Sequence, residues 1–341
     1  MESGSRWFRR WNPLRGEWVV YAAHRNNRPW QGARPEKTSS APEYDSGCYL
    51  CPGNHRISGT RNADYEGVFV FDNDHPVLGP LAPEAGAENF PHPGYESGSA
   101  FGVSRVICFH PSHNVQLSDL DPSSVSDVFR TFRQQTAEML ARPDISSILI
   151  FENRGEAVGV SNPHPHGQLY AADFPLHHVS RQQEHSALYQ QKHGLTLFEA
   201  IIANEKSDGR RILYEDDHVI AFIPWFARYA FETMIFPKSH AQDLTRLDDL
   251  QIQSLATAFR SVTRRMSKLH DGDFPYVLTI MQAPVDGTIH PEYRMHLWLQ
   301  PPYRQPGLMK YLAGPEIGAG NFMADTIPEE KASELRRIEA D

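Results

Sequence analysis

The sequence predicts an α+β fold built twice over, and three pairs of matching runs carry that prediction. Phe69-Val-Phe-Asp-Asn-Asp-His75 and Ile212-Leu-Tyr-Glu-Asp-Asp-His218 are apolar strands that end in acidic turns. Arg105-Val-Ile-Cys-Phe-His-Pro-Ser-His113 and Glu232-Thr-Met-Ile-Phe-Pro-Lys-Ser-His240 are strand-like runs closed by a proline-containing turn and a histidine. Pro163-His-Pro-His-Gly-Gln-Leu-Tyr170 and Tyr293-Arg-Met-His-Leu-Trp-Leu299 are histidine-bearing strands.

The elements between these runs keep the same order. A helical pattern begins near Asp121-Pro122-Ser123 and continues through Val128, Phe129, Phe132 and Leu140; a second begins near Asp248-Asp249 and continues through Leu255, Phe259, Val262 and Met266. Both have the apolar spacing of an amphipathic helix behind a capping residue. Each is followed by a strand, Ser147–Phe151 and Tyr276–Ile280. So many elements in one order indicate duplication. The units are placed at 1–175 and 195–341, joined by a polar, partly helical connector at 176–194. The Gly-, Pro-, Ser- and Asn-rich stretches 26–63 and 79–101 read as loops or arms.

A chain of 341 residues suits two such units, and 40% hydrophobic with 22% charged residues is ordinary for a globular protein. The net charge of −9 excludes a general electrostatic grip on nucleic acid but leaves room for a small anionic substrate held by local cations. Three cysteines, Cys48, Cys51 and Cys108, do not make a disulfide framework, so a reducing compartment is expected. The first residues are polar and no apolar run approaches the roughly 18 residues of a membrane helix. The expectation is a cytoplasmic protein without a membrane partner.

Cys48-Tyr-Leu-Cys51 presents two thiols from one turn. Two thiolates so spaced hold one Zn²⁺ if two further ligands complete a tetrahedron. There is no second cysteine pair and Cys108 sits within an apolar strand, so histidines must supply them. His113 and His164, each at the edge of a predicted strand, are the candidates. A redox pair or two unpaired thiols are the competing readings.

In a strand, side chains two residues apart share a face, so His164 and His166 project together. One can be anchored while the other attacks phosphorus, because a neutral imidazole has a free lone pair near pH 7. Displacement at a phosphate also needs alignment and neutralised equatorial oxygens. Gln168, two residues on, can donate an amide hydrogen, Gly167 lets the backbone approach, and Ser161 and Asn162 add donors. A pair of core or metal-binding histidines is the alternative; the complete His-Pro-His-Gly-Gln pattern favours catalysis. Arg25 and Arg28, stiffened by Pro29, suit a phosphate contact, or form an exposed basic loop. Asn73 and Asp74 suit ribose hydroxyls, or form an ordinary acidic turn.

Together, Arg28-Pro-Trp-Gln-Gly32, Cys48-x-x-Cys-x-Gly-Asn54, Phe71-Asp-Asn-Asp74, Phe151-Glu-Asn-Arg-Gly155 and Ser161-Asn-Pro-His-Pro-His-Gly-Gln168 resemble the galactose-1-phosphate uridylyltransferase family of the histidine-triad superfamily. The resemblance runs in order from about residue 7 to 312. It implies a duplicated histidine-triad-like fold, with antiparallel sheets and flanking helices. It implies ping-pong transfer of UMP from UDP-glucose, through uridylyl-His166, to galactose 1-phosphate, giving UDP-galactose and glucose 1-phosphate. Gln168 would hold the transferred phosphate, with Ser161 and Asn153 beside it. Cys48, Cys51, His113 and His164 match the ligands of one structural Zn²⁺. Arg25, Arg28, Asn73, Asp74, Gly159 and Val160 match nucleotide contacts, and Lys310, Tyr311 and Glu316 match hexose-phosphate contacts.

The resemblance further implies a homodimer whose sites draw on both subunits, and no catalytic Mg²⁺. Many family members hold a second metal through one Glu and three His. The matching positions here are Gln182, Met281, His296 and Trp298, so that metal is expected to be absent. Pro315 stands where the family commonly has Tyr, which loosens the tie to galactose as acceptor. A nucleoside-diphosphate-sugar phosphorylase or other hexose-1-phosphate nucleotidyltransferase on the same fold, and a non-catalytic zinc-binding protein, are the alternative functions.

Overall fold

The computed structural model describes residues 7–23, 41–82, 94–95, 97–160, 162–272 and 274–340. Arg25, Arg28 and Ser161 lie outside the described residues. The chain opens with the hairpin β1 (Trp7–Asn12) and β2 (Glu17–Ala22), then gives β3 (Phe69–Asp72), β4 (Gly102–Cys108), α1 (Pro122–Leu140), β5 (Ser147–Arg154) and β6 (His166–Ala172). Two helices follow, α2 (His177–His193) and α3 (Leu197–Asp208). The second half contains β7 (Ile212–Glu215), β8 (Val219–Phe222), β9 (Thr233–Pro237), α4 (Asp249–Leu269), β10 (Tyr276–Met281) and β11 (His296–Gln300). The chain closes with the hairpin β12 (Tyr303–Gln305) and β13 (Leu308–Met309), then α5 (Gly314–Ala319), β14 (Phe322–Ala324) and α6 (Pro328–Arg336).

One nine-stranded sheet, ordered β3-β4-β6-β5-β10-β11-β9-β8-β7, runs through both halves. Every pairing in it is antiparallel. Among the described strands, the parallel pairing of β14 on β2 belongs to the small sheet β1-β2-β14. The two long helices start where the sequence caps them. Asp121 accepts from the backbone N–H of Ser123 and Ser124 with Pro122 in the first turn, and Asp248 exchanges reciprocal bonds with Gln251. Their apolar faces meet through Phe129 and Phe259, 5.7 Å between ring centroids, and cover one side of the sheet.

The register centres the repeat on β5 and β10. Phe151 lies opposite Thr279; Gln168 lies opposite Phe151 on one side, and Trp298 opposite Thr279 on the other. Stepping outward, His166 answers His296, Val106 answers Met234, Cys108 answers Phe236 and Phe71 answers Phe222. This corrects two expectations. The counterpart of β3 is β8, and the run 212–218 forms β7, an extra strand at the edge. The runs 105–113 and 232–240 match one residue out of step, Val106 with Met234 rather than Thr233. The period-2 alternation that fixes register is missing from β8 and β9, which are buried at every position.

The second side of the sheet differs between the halves. Over the C-terminal half, α2 and α3 cover Ile220, Phe222, Met234, Phe236, Met281 and Trp298 with Val179, Leu197, Phe198 and Ile201. Over the N-terminal half no helix among the described residues lies there; Cys48, Leu50 and Cys51 pack on Val106 and Cys108. No helix among the described residues is long and apolar enough to cross a membrane.

Candidate active site

The segment 41–67 wraps back over β3, β4 and β6 and is tied by side-chain amides. Asn54 donates to the carbonyls of Asp45 (2.9 Å) and Cys48 (2.8 Å), and Asn62 donates to those of Tyr49 (3.0 Å) and Cys51 (3.1 Å). These bonds close the turn that brings Cys48 and Cys51 under the sheet, where both are buried. His113 arrives from the turn after β4 and His164 from the residues just before β6. The four ligand atoms lie within 4.8 Å of one another. His113 Nδ1 and His164 Nδ1 each stand 3.6 Å from Cys51 Sγ. Burial pushes the Cys51 thiol up to about 11 and pulls the His164 imidazole down to about 3, with His113 adding to the latter. A buried Cys₂His₂ set of this kind fits a metal ion, and its soft sulfur donors are compatible with zinc.

Strand β6 begins only at His166, so His164 and Pro165 precede it. His164 points into the Cys₂His₂ cluster and is 1% exposed, while half-buried His166 faces a cavity of about 300 Å³. His166 Nδ1 and the His164 carbonyl oxygen are 2.8 Å apart. Since a carbonyl only accepts, Nδ1 carries the proton and Nε2 keeps its lone pair. Burial pulls the His166 pKa below its ordinary value, which favours that neutral form. An imidazole so held can attack an electrophile placed in the cavity.

Gln168 lies one step further along the same face and also lines the cavity; its Oε1 accepts from the Tyr170 hydroxyl at 3.2 Å, leaving the amide N–H₂ as a donor. Asn153, at the end of β5, and Gly159 and Val160 in the loop after it complete that wall. Gly159 has φ +87, a conformation that glycine adopts readily. On the far wall stand Asn73 and Asp74, just past β3. Asp74 Oδ2 accepts from Ser58 N at 3.0 Å and Oδ1 sits 3.6 Å from Arg56 Nη1. The Arg56 guanidinium in turn lies 4.4 Å from the Phe71 ring centroid.

Two expectations, at Gly167 and Asn162, need correction. Gly167 is required by the opposite face, where an added Cβ would come within 2.8 Å of both the Phe109 ring and the Phe151 carbonyl oxygen. Asn162 does not line the cavity: it sits 7% exposed between Cys48 and His164. Lys310, Tyr311 and Glu316 are not brought to this cavity within the chain. Lys310 is paired with Glu316 at 2.7 Å and lies over Phe322 of the small sheet. Gln182 is buried on the inner face of α2, and Met281, His296 and Trp298 are buried beneath α2 and α3, with the Tyr293 hydroxyl donating to Gln182 at 2.7 Å and the Trp298 indole to Glu232 at 2.6 Å. Arg56, Ile57, Tyr49 and His75 line the cavity without having been expected. Their one sequence signal is position: Tyr49 lies inside Cys-x-x-Cys, Arg56 and Ile57 shortly beyond it, and His75 directly after Asn-Asp.

A duplicated antiparallel sheet carrying His-Pro-His at the head of a strand is a histidine-triad-like fold. Residues 4–175 match the family described as galactose-1-phosphate uridyl transferase, N-terminal domain, and residues 181–341 its C-terminal domain. The chain is 36% identical to the galactose-1-phosphate uridylyltransferase of Haemophilus influenzae over 97% of its length and 94% of the relative's. It is 33% identical to that of Rattus norvegicus, covering 96% of this chain and 86% of the other. A solved uridylyltransferase superposes with a TM-score of 0.78 at 27% identity, covering 97% of this chain and 98% of that one. An ADP-glucose phosphorylase from Arabidopsis thaliana shares the fold, with a TM-score of 0.76 at 22% identity over 98% of this chain and 99% of that one. The chain belongs to the galactose-1-phosphate uridylyltransferase family.

Proposed function

We propose that the chain is a UDP-glucose–hexose-1-phosphate uridylyltransferase that works through a covalent uridylyl-His166. The observation that carries this reading is the His166 ring, fixed through Nδ1 and presenting Nε2 to a cavity walled by Asn73, Asp74, Asn153 and Gln168. In the first half-reaction, Nε2 attacks the α-phosphorus of UDP-glucose. An N–P bond forms, the bridging P–O bond breaks, and glucose 1-phosphate leaves. In the second, a phosphate oxygen of galactose 1-phosphate attacks the same phosphorus, the N–P bond breaks, and UDP-galactose leaves. Gln168 donates to the equatorial oxygens throughout, an interaction worth most where charge develops. Asn153 assists it, Asn73 and Asp74 take the ribose, and Gly159 and Val160 line the nucleotide's wall; the reading also gives Ser161 a part in holding the phosphate and Arg25 and Arg28 a part in nucleotide binding.

Cys48, Cys51, His113 and His164 would hold one structural Zn²⁺, which would lock the residues preceding β6 in place. The second metal is absent in this reading, since Gln182 and His296 are its poor remaining donors. Lys310, Tyr311 and Glu316 serve a partner copy's cavity in a cytoplasmic homodimer. Incubation with labelled UDP-glucose, mass spectrometry of the modified residue and a chase with galactose 1-phosphate test the chemistry. Label on His166 that galactose 1-phosphate discharges as UDP-galactose is expected. Full exchange activity in His166→Ala would sink it, and discharge by inorganic phosphate alone would make the chain a phosphorylase. Two metals per purified chain would refute the single-zinc assignment.

A further inference from the structure

Two polar side chains around the Cys₂His₂ cluster have no part in the chemistry above. The first is Tyr65, whose hydroxyl is 2.7 Å from the Leu50 carbonyl oxygen and 2.9 Å from His164 Nε2. A hydroxyl has one hydrogen, and the carbonyl can only accept, so Tyr65 donates to Leu50. The proton between Tyr65 and His164 must then belong to Nε2. That fixes the His164 tautomer and leaves the Nδ1 lone pair facing Cys51 Sγ at 3.6 Å. The ring of Tyr65 is held in turn by Phe69, stacked at 4.8 Å and 11°.

The second is Asn162. Its Oδ1 accepts the backbone N–H of His164 at 3.0 Å, and its Nδ2 donates to Cys48 Sγ at 3.4 Å. The Leu50 backbone N–H reaches the same sulfur at 3.4 Å. Two N–H donors aimed at one buried sulfur suit a thiolate, the form a metal requires. The same asparagine sets the backbone of His164, whose carbonyl oxygen holds His166 at 2.8 Å.

We propose that Tyr65 and Asn162 are positioning residues that join the metal cluster to the nucleophile: Tyr65 presents His164 Nδ1 to the metal, and Asn162 ties the Cys48 thiolate to the peptide that aims His166. The proposal rests on the metal and nucleophile readings given above. Outer groups of this kind commonly change metal affinity by about 10–100-fold, and small displacements of a reacting group by up to about 100-fold in rate.

Co²⁺ is the probe. Its uptake by metal-stripped full-length protein is followed in chelator competition and by the ligand-field bands of tetrahedral sulfur–nitrogen coordination. Tyr65→Phe removes one oxygen and keeps the ring on Phe69; it is expected to lower Co²⁺ affinity about 10–100-fold. Asn162→Ala, measured at saturating Co²⁺, is expected to lower kcat about tenfold or more with KM for UDP-glucose unchanged. Native Co²⁺ affinity in Tyr65→Phe, or native kcat in Asn162→Ala, overturns the proposal. Should Asn162→Ala fail to fold, Tyr65→Phe decides alone. A native chain that takes up no Co²⁺ fails the metal reading itself, and absence of uridylyl-His166 in the native chain fails the nucleophile reading, so these failures are told apart.

Discussion

His166 and His296 occupy equivalent places at the heads of equivalent strands, and their settings have diverged. Both rings direct Nδ1 to the carbonyl two residues back, 2.8 Å from His164 O and 3.1 Å from Arg294 O. His166 then opens onto a cavity. His296 is fully buried, stacked 5.0 Å from Phe236, and its Nε2 has no partner. On the same face the C-terminal half has Trp298 for Gln168, Phe236 for Cys108 and Met281 for Asn153. The strand head and the backbone-held imidazole persist in both, so they belong to the fold. An open wall and a second polar side chain distinguish the half that holds the site.

The largest expected effect tests this contrast directly. His166→Ala should cut uridylyl exchange by about 10⁴-fold or more, the scale of losing a nucleophile that acts as part of a unit, read as initial rates and as label on the protein. Next comes Gly167→Ala. Its counterpart is Leu297, and Phe109 on the N-terminal side answers Pro237, so bulk has changed places between the halves. With no space at residue 167, the substitution should cost about 1–3 kcal/mol in denaturant unfolding and slow exchange by shifting its neighbour His166.

Glu152 comes third. It is buried beside Tyr276, whose hydroxyl donates to it at 2.8 Å, and burial raises its pKa to about 7. A carboxyl raised on folding supports the native state while protonated in both states. That support is lost as pH rises from the usual carboxylate range through about 7. Glu152→Gln should therefore leave stability near pH 4.5 unchanged and raise it by on the order of 2 kcal/mol at pH 8; parallel pH–stability curves for both proteins would contradict this. The smallest effect is His296→Phe. Losing the bond to Arg294 and relieving an unpartnered nitrogen are opposing terms of about 1 kcal/mol each, so stability and exchange rate should both stay near native.

The contiguous part of the site was legible in the sequence. His164, His166 and Gln168 fall within five residues, and Cys48 and Cys51 within four, so their spacing alone brings them together. His113 was reachable because it closes a strand. The far wall was not, since Arg56 and Ile57 reach the cavity only when the segment after Cys51 folds back over β3. Nor was the exact register of the repeat, because β8 and β9 are buried at every position and leave no alternation to mark a face. Asn162 shows a subtler limit: a side-chain amide beside a phosphate-binding motif suggests a ligand contact, and only the position of Cys48 reveals its partner.

The central pairing of β5 with β10 also sets terms for how the chain is made. β5 ends at Arg154 and β10 begins at Tyr276, so the strands on either side of the seam are separated by most of the second unit. At synthesis rates of about 5–20 residues per second, a nascent chain displays β5 as an open sheet edge for roughly 6–25 s before its partner is made. An apolar edge left open that long is a template for pairing with other chains, so the seam that unites the finished molecule is also where its unfinished form is most exposed to aggregation.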